Sequence, residues 1–358
     1  MSTTWTIFQD ISQTWSHKSH HKELYPIKVI NEIDDSIPEF FQYNKNIKII
    51  DTSRYSKYTK SKSDYAESNK SNNKTCDNAD GNVLIKQNVI KELLDTTYQN
   101  KRKFLSPCEC KFSLSESPEC QKICVKSSIP DKNCNCNPYY KLVENNGRFM
   151  MVLRAIYLQE NNTNLPRDIW ECSDICGCDP DACLNRTVGS FENNMAVRTV
   201  VKKTRKRGFG LFADEKIFKG QYVGPYQGEM KLLSSTVLKA DSFDSNRPNF
   251  DDTYIFLCHK DLQTTQGDKV IIDSKKQGNI TRFINHSCDE NLIVYHVLRL
   301  SEKCPVIGLF AMRDIEVGEE IFLNYTGLYW ASMNRKGVFC CCGSEKCGYS
   351  EERFVAIC

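Results

Sequence analysis

In a chain of 358 residues, the stretch RFINHSCDEN at 282–291 places Asn285, His286 and Cys288 within four positions of one another. Three chemistries use such neighbours. A Cys with a nearby His can be a nucleophile and its base. The same pair can be metal ligands. Asn285 and His286 in a tight loop can also grip a small molecule. The other cysteines bear on the choice. One group holds Cys108, Cys110, Cys120, Cys124, Cys134 and Cys136, and a second holds Cys172, Cys176, Cys178 and Cys183. C-x-C pairs recur at 108/110, 134/136 and 176/178. That spacing is too tight for two ligands on a regular strand or helix, but it suits a loop wrapped around closely spaced metals. A third group, Cys340, Cys342 and Cys347, is one thiolate short of a structural zinc site. Its fourth ligand must come from elsewhere. Buried thiols and iron–sulfur ligation compete with zinc, and the repeated C-x-C spacing favours zinc.

Composition sets the frame for these groups. The cysteine count is odd, at 19, and the start MSTTWTIFQD lacks the basic-then-apolar pattern of a secretory signal. Both facts point away from a disulfide framework and toward metal thiolates in a reducing compartment. With only 6 His, the sites must be built mainly from Cys. A net charge of +3 is too near neutral to argue for nucleic-acid binding on its own. No apolar run is long enough to span a membrane.

The elements that must position these residues are short. From about residue 195, the runs MAVRTVV, GLFA, QYVGPYQ, YIFLCH, KVIID, LIVYHVL, VIGLFAM and EIFLNY are bounded by Gly, Asn and Asp, and they read as strands. KLLSSTVLKA at 231–240 and the spacing over 83–104 (Leu84, Ile85, Val89, Ile90, Leu93, Leu94) are helix candidates. Residues 51–82 are rich in Ser, Asn and Lys and read as a polar linker. PIKVINEIDDSIPEFFQY at 26–43 is apolar enough to dock on a larger body.

Taken in order, these motifs resemble the SET-domain histone lysine methyltransferases, in the heterochromatin subgroup with pre-SET and post-SET segments. WECSDICGCDPDACLNR (170–186) resembles the end of the pre-SET cluster. RGFGLFA (207–213), YQGE (226–229), NITRFINHSCDENL (279–292), GEEIFLNY (318–325) and FCCCGSEKCGYS (339–350) follow in the family's order. The resemblance implies a mostly β fold: a SET domain of several short sheets with a knot-like C-terminal region, a zinc-cluster pre-SET unit and a small zinc post-SET lid. The expected divisions are an N-terminal segment at 1–104, the pre-SET cluster at 105–187, the SET domain at 188–332 and the post-SET segment at 333–358. The family's pre-SET unit holds three zincs on nine cysteines. This chain offers ten candidates, with Cys120 and Cys124 competing for one place. Cys288 becomes the fourth thiolate beside Cys340, Cys342 and Cys347.

The resemblance also implies the chemistry. Methyl transfer from S-adenosylmethionine needs a neutral lysine, yet a free Lys is unprotonated only about once in 2,500 molecules at pH 7. An apolar channel with Tyr dipoles must desolvate and aim the amine. Tyr325 and Tyr226 take the catalytic positions. Gly208, Phe209, Gly210, Tyr254, Arg282, Phe283, Asn285 and His286 take the cofactor positions, with Asn285 and His286 both facing the cofactor and away from Cys288. Leu323 stands where the family has Phe or Tyr, and its smaller apolar side chain favours di- or trimethylation. Pro225 stands where Glu is common, and YIFLCH at 254–259 lacks acidic residues usual there. Asp251 and Asp252, with Asp241 and Asp244, fall in an insert that can read a substrate arginine. KKTRKR at 202–207 reads as a solvated hairpin ahead of an import or DNA-contacting patch.

The implied partners are the histone H3 tail, at lysine 9, and chromatin-targeting proteins in the nucleus. Weak or no direct DNA contact and no membrane are expected. The competing readings are a catalytically weak SET scaffold in chromatin and a methyltransferase of a non-histone protein.

Overall fold

A computed structural model describes residues 5–8, 23–44, 48–49, 89–97, 139–145, 148–158, 168–177, 183, 185–234, 254–258, 262–299 and 305–355. Short strands dominate it. One sheet runs in the order Trp5–Phe8, Lys28–Asn31, Thr199–Lys203, Phe209–Ala213. A second runs Tyr222–Tyr226, Val306–Ala311, Leu292–Arg299, Asp168–Glu171. A third runs Ile255–Leu257, Lys269–Gly278, Gly228–Leu233, Lys48–Ile49, with Gln42–Tyr43 also on Lys269–Gly278. Two pairs complete the set: the hairpin Tyr140–Asn145/Arg148–Leu153, and the parallel pair Asn285–His286/Phe322–Leu323.

The apolar texture explains these strands. All six residues of Val306–Ala311 are buried, because that strand lies between two neighbours and is covered on both faces. A strand buried on both faces reads as a continuous apolar run rather than an alternation. Pro225 is tolerated because Tyr222–Tyr226 is the edge strand of its sheet. Val201, Leu211, Val223, Ile284, Leu309, Ile321 and Leu323 meet in a shared core between the sheets. The lead-in docks as expected: Ile27, Val29, Phe41 and Tyr43 enter that core. Buried Glu23 ties it down by accepting from Tyr43 Oη (2.5 Å) and from Met195 N (2.8 Å).

Two expectations change and one holds among the described residues. In KLLSSTVLKA the first three residues belong to strand Gly228–Leu233, not a helix. Lys231 is held there between Glu229 and Asp273, at 2.7 Å each, and a buried cation paired on both sides fixes the strand register. The helix expected over 83–104 is present at 89–97, with Ile90 and Leu94 packed on Met230 and Ile272, and the rest of that span lies outside the described residues. EIFLNY contributes just two strand residues before helix Thr326–Arg335 begins.

Candidate active site and thiolate centre

The polar residues of NITRFINHSCDEN hold the chain in place before any chemistry begins. Asn279 caps the turn Ile280–Phe283 by accepting from Thr281 N (3.1 Å), and its Nδ2 donates to Pro225 O (2.9 Å). The chain then pairs in parallel, Asn285 with Phe322 and His286 with Leu323. Asn291, fully buried, locks this pairing: its Nδ2 donates to Glu320 O (2.9 Å) and its Oδ1 accepts from Phe322 N (2.8 Å). Two segments more than thirty residues apart are thereby held side by side.

Successive residues of an extended strand point to opposite faces, and this separates the two neighbours of the motif. Asn285 Nδ2 donates to Phe209 O (3.2 Å) and to Glu320 Oε1 (2.8 Å), while Arg207 Nη2 pairs with Glu320 Oε2 (2.5 Å). Gly210 must be Gly for this network: a Cβ there would lie 2.4 Å from Glu320 Oε1 and 3.0 Å from Asn285 Nδ2. Gly208 has φ +69°, and a Cβ on it would meet nothing within 4 Å. The backbone there borders open space.

His286 points the other way. Its Nδ1 accepts from Tyr325 N (3.0 Å), and its Nε2 lies 3.2 Å from Cys288 Sγ. The expectation that His286 faces away from Cys288 is therefore corrected for its side chain. The strand ends at His286, and the bend that follows brings Cys288 back to the His286 ring.

Four tyrosines converge beside this segment. Tyr325 Oη donates to Ile284 O at 2.5 Å. Burial raises its pKa well above the usual 10, and the phenols of Tyr226, Tyr329 and Tyr254 reinforce the shift. Tyr226, pushed by burial up to about 12, donates to Tyr254 O at 3.2 Å. Tyr254 itself has φ +65°, a conformation costly for a residue with a Cβ. It is held there by Ser274 N, which donates to its carbonyl (2.9 Å), and by the Arg282 guanidinium, 3.9 Å from its ring centre. Arg282 and Phe283 are 4% and 5% exposed, and Phe283 packs edge-on against Phe41. Arg282 reaches the tyrosine cluster through Tyr254, and Phe283 packs against the Arg282 guanidinium.

Cys288, Cys340, Cys342 and Cys347 form the second centre, with all four Sγ atoms within 4.8 Å of one another. Four thiolates at about 2.3 Å from one tetrahedral zinc stand about 3.8 Å apart, so the set fits that ion with small adjustments. Burial pushes the Cys288 thiol up to about 11 and Cys340 higher still, so a bound cation displaces protons there. Trp330 stacks on Tyr349 at 5.8 Å and meets the His286 ring edge-on at 5.0 Å. The thiolate centre and the tyrosine cluster are joined through His286.

A SET domain family profile matches residues 208–326. The probable histone-lysine N-methyltransferase set-23 of Caenorhabditis briggsae is 30% identical over 218 residues, 60% of this chain and 85% of that protein. This chain belongs to the SET-domain family. Histone-lysine N-methyltransferase EHMT1 of Homo sapiens is 34% identical over 195 residues, 54% of this chain but only 14% of that protein. The structure of KRYPTONITE in complex with mCHH DNA, H3(1-15) peptide and SAH shares the fold at a TM-score of 0.53 and 22% identity, covering 96% of this chain and 53% of that one. Family membership makes this chain an S-adenosylmethionine-dependent protein-lysine methyltransferase by class.

Within this SET domain, the structure brings together Gly208, Phe209, Gly210, Asn285, His286, Tyr226, Tyr254, Leu323 and Tyr325. Leu323 is 6% exposed and sits in the core beside His286. Of the proposed pre-SET ligands, Cys172 and Cys176 are buried and Cys183 is half-buried. Ser173 N donates to Cys176 Sγ (3.4 Å) and Asn185 Nδ2 to Cys172 Sγ (3.8 Å), the donors a thiolate needs. Cys108, Cys110, Cys120, Cys124, Cys134, Cys136 and Cys178, with Asp241, Asp244, Asp251 and Asp252, lie outside the described residues. KKTRKR forms the tip of the hairpin Thr199–Lys203/Phe209–Ala213, with Arg205 and Lys206 exposed. Sequence reasoning missed Glu320, Asn291 and Trp330. Glu320 lay inside a quoted motif, but its role appears only once Arg207 and Asn285 converge on it.

Proposed function

We propose that this chain methylates a lysine of the histone H3 tail, lysine 9, to the di- or trimethyl state, and acts in the nucleus at heterochromatin. The carrying observation is the Tyr325 hydroxyl, anchored on Ile284 O and surrounded by Tyr226, Tyr254 and Tyr329, on the residue whose backbone N donates to His286. The open backbone at Gly208, the Phe209 carbonyl and Asn285 fit S-adenosylmethionine, whose sulfonium supplies the methyl group. Gly208, Phe209, Gly210, Tyr254, Arg282, Phe283, Asn285 and the His286 backbone would hold it, some directly and some through Tyr254.

The tyrosines serve the amine. Their raised pKa values keep them neutral, so Tyr325 and Tyr226 orient the lysine nitrogen as dipoles and exclude water rather than taking its proton. Burial in the channel favours the uncharged amine. Leu323, buried two residues before Tyr325, leaves no hydroxyl to hold a water and so leaves room for added methyls. The chain divisions at 105–187, 188–332 and 333–358, with three zincs in the first and one in the last, complete the proposal, as do Asp251 and Asp252 as substrate readers and chromatin proteins as targeting partners.

Incubation with labelled S-adenosylmethionine and an H3 tail peptide, followed by mass spectrometry, gives site and degree together. We expect dimethyl and trimethyl product at one lysine. Tyr325→Phe should lower kcat by about 100- to 1,000-fold, the usual cost of one lost site donor, with little change in Tm. Transfer to no histone peptide would sink the substrate assignment.

A further inference from the structure

His286 touches both centres, and the proposed function uses only its backbone. We infer that His286 is a positioning residue that joins the post-SET thiolate centre to the backbone of Tyr325 through its two ring nitrogens. The inference deepens the proposed function and rests on it. A backbone N–H can only donate, so the 3.0 Å contact from Tyr325 N makes Nδ1 an acceptor without a hydrogen. In a neutral imidazole the hydrogen must then sit on Nε2. Nε2 lies 3.2 Å from Cys288 Sγ, and a metal-bound thiolate is an acceptor. One ring therefore accepts from the residue that aims the substrate and donates to the residue that holds the metal.

Further contacts brace the ring. It sits 5.4 Å from Tyr325, 5.0 Å from Trp330 and 6.1 Å from Tyr349, so helix Thr326–Arg335 and the C-terminal segment both pack on it. Ser287 N donates to Leu323 O (3.1 Å), extending the parallel pairing past His286. Ring rotation would break both polar contacts together. Through this ring, the lid metal sets where the Tyr325 backbone lies.

The test uses the full chain reconstituted with 113Cd and labelled with 15N-His. On the unmutated protein, long-range 1H–15N NMR should show His286 as the Nε2–H tautomer; an Nδ1–H tautomer overturns the inference without any variant. His286→Asn keeps an acceptor near Nδ1 but cannot reach Cys288. It should move only the 113Cd resonance of the lone four-thiolate site and weaken retention there about tenfold in chelator competition, the lower end for a lost outer partner. His286→Gln places a donor near Nε2, so the cadmium resonance should stay while kcat falls and peptide KM holds. An unmoved cadmium resonance in folded His286→Asn protein also overturns the inference. Failure of the wild type to take up cadmium at this site refutes the metal assignment and takes the inference with it. Normal cadmium and tautomer signals without methyl transfer would instead refute the substrate reading alone.

Discussion

The Tyr325 phenol is held well above its usual pKa by burial, so it remains protonated across the working range and does not act as a base toward the proposed substrate amine. The supply of neutral lysine then limits the reaction. With saturating cofactor, kcat/KM for peptide should rise by about tenfold per pH unit from 7 to 9. No downturn from Tyr226 is expected in that window, since its pKa is about 12. A flat profile would contradict this reading. At Gly210 the argument is steric. An added Cβ 2.4 Å from Glu320 Oε1 must push apart the Arg207–Glu320–Asn285 network. Gly210→Ala should cost about 1–3 kcal/mol of stability. Isothermal titration should also show cofactor affinity reduced at least tenfold, because Asn285 loses its orientation.

Among the elements, strand Asp168–Glu171 carries a charge that is costly to bury. The Glu171 carboxylate accepts from Tyr140 Oη (2.7 Å), Val188 N (2.7 Å) and Gly189 N (2.9 Å), joining the hairpin to the turn before the SET domain. Burial outweighs these donors and raises its pKa from 4.5 to about 6. A carboxyl raised in the folded state adds stability below its unfolded pKa, and that stability is lost as pH rises through about 6. The step amounts to about 2 kcal/mol, from a shift of roughly 1.5 units at 1.36 kcal/mol each. Urea midpoints measured from pH 4.5 to 6.5 should reveal it as a difference between wild type and Glu171→Gln. Parallel curves would rule it out.

Across the whole molecule, the three sheets pack through three apolar clusters among the described residues, while the post-SET segment is held by four thiols and a stack of Trp330, Tyr349 and His286. On the proposed zinc assignment, the C-terminal segment depends on metal and the sheets do not. A strong chelator should abolish activity while far-UV circular dichroism stays near native. Trp330, 6% exposed, should become wet, giving a red-shifted fluorescence that Trp330→Phe removes. Full activity after verified metal removal would refute the dependence. Exposed contacts such as Lys346–Asp289 at 2.7 Å cannot replace the metal, since a surface pair contributes less than about 1 kcal/mol.

Much of this was legible from the chain alone. Apolar runs named most strands from residue 199 onward, because burial demands act locally on each strand. The ordered motifs singled out Asn285, Tyr325 and the four lid cysteines, because their residue types and spacing are covalent facts. The register of the Asn285–His286/Phe322–Leu323 pair, the meeting of Glu320 with Arg207 and Asn285, and the positive φ of Tyr254 were decided only in three dimensions. So was the task of RFINHSCDEN. Spacing records that Asn285, His286 and Cys288 are neighbours, but strand alternation, the bend after His286 and a partner more than thirty residues away decide which face each one takes. The fold sends Asn285 to the glycine loop and turns His286 onto Cys288.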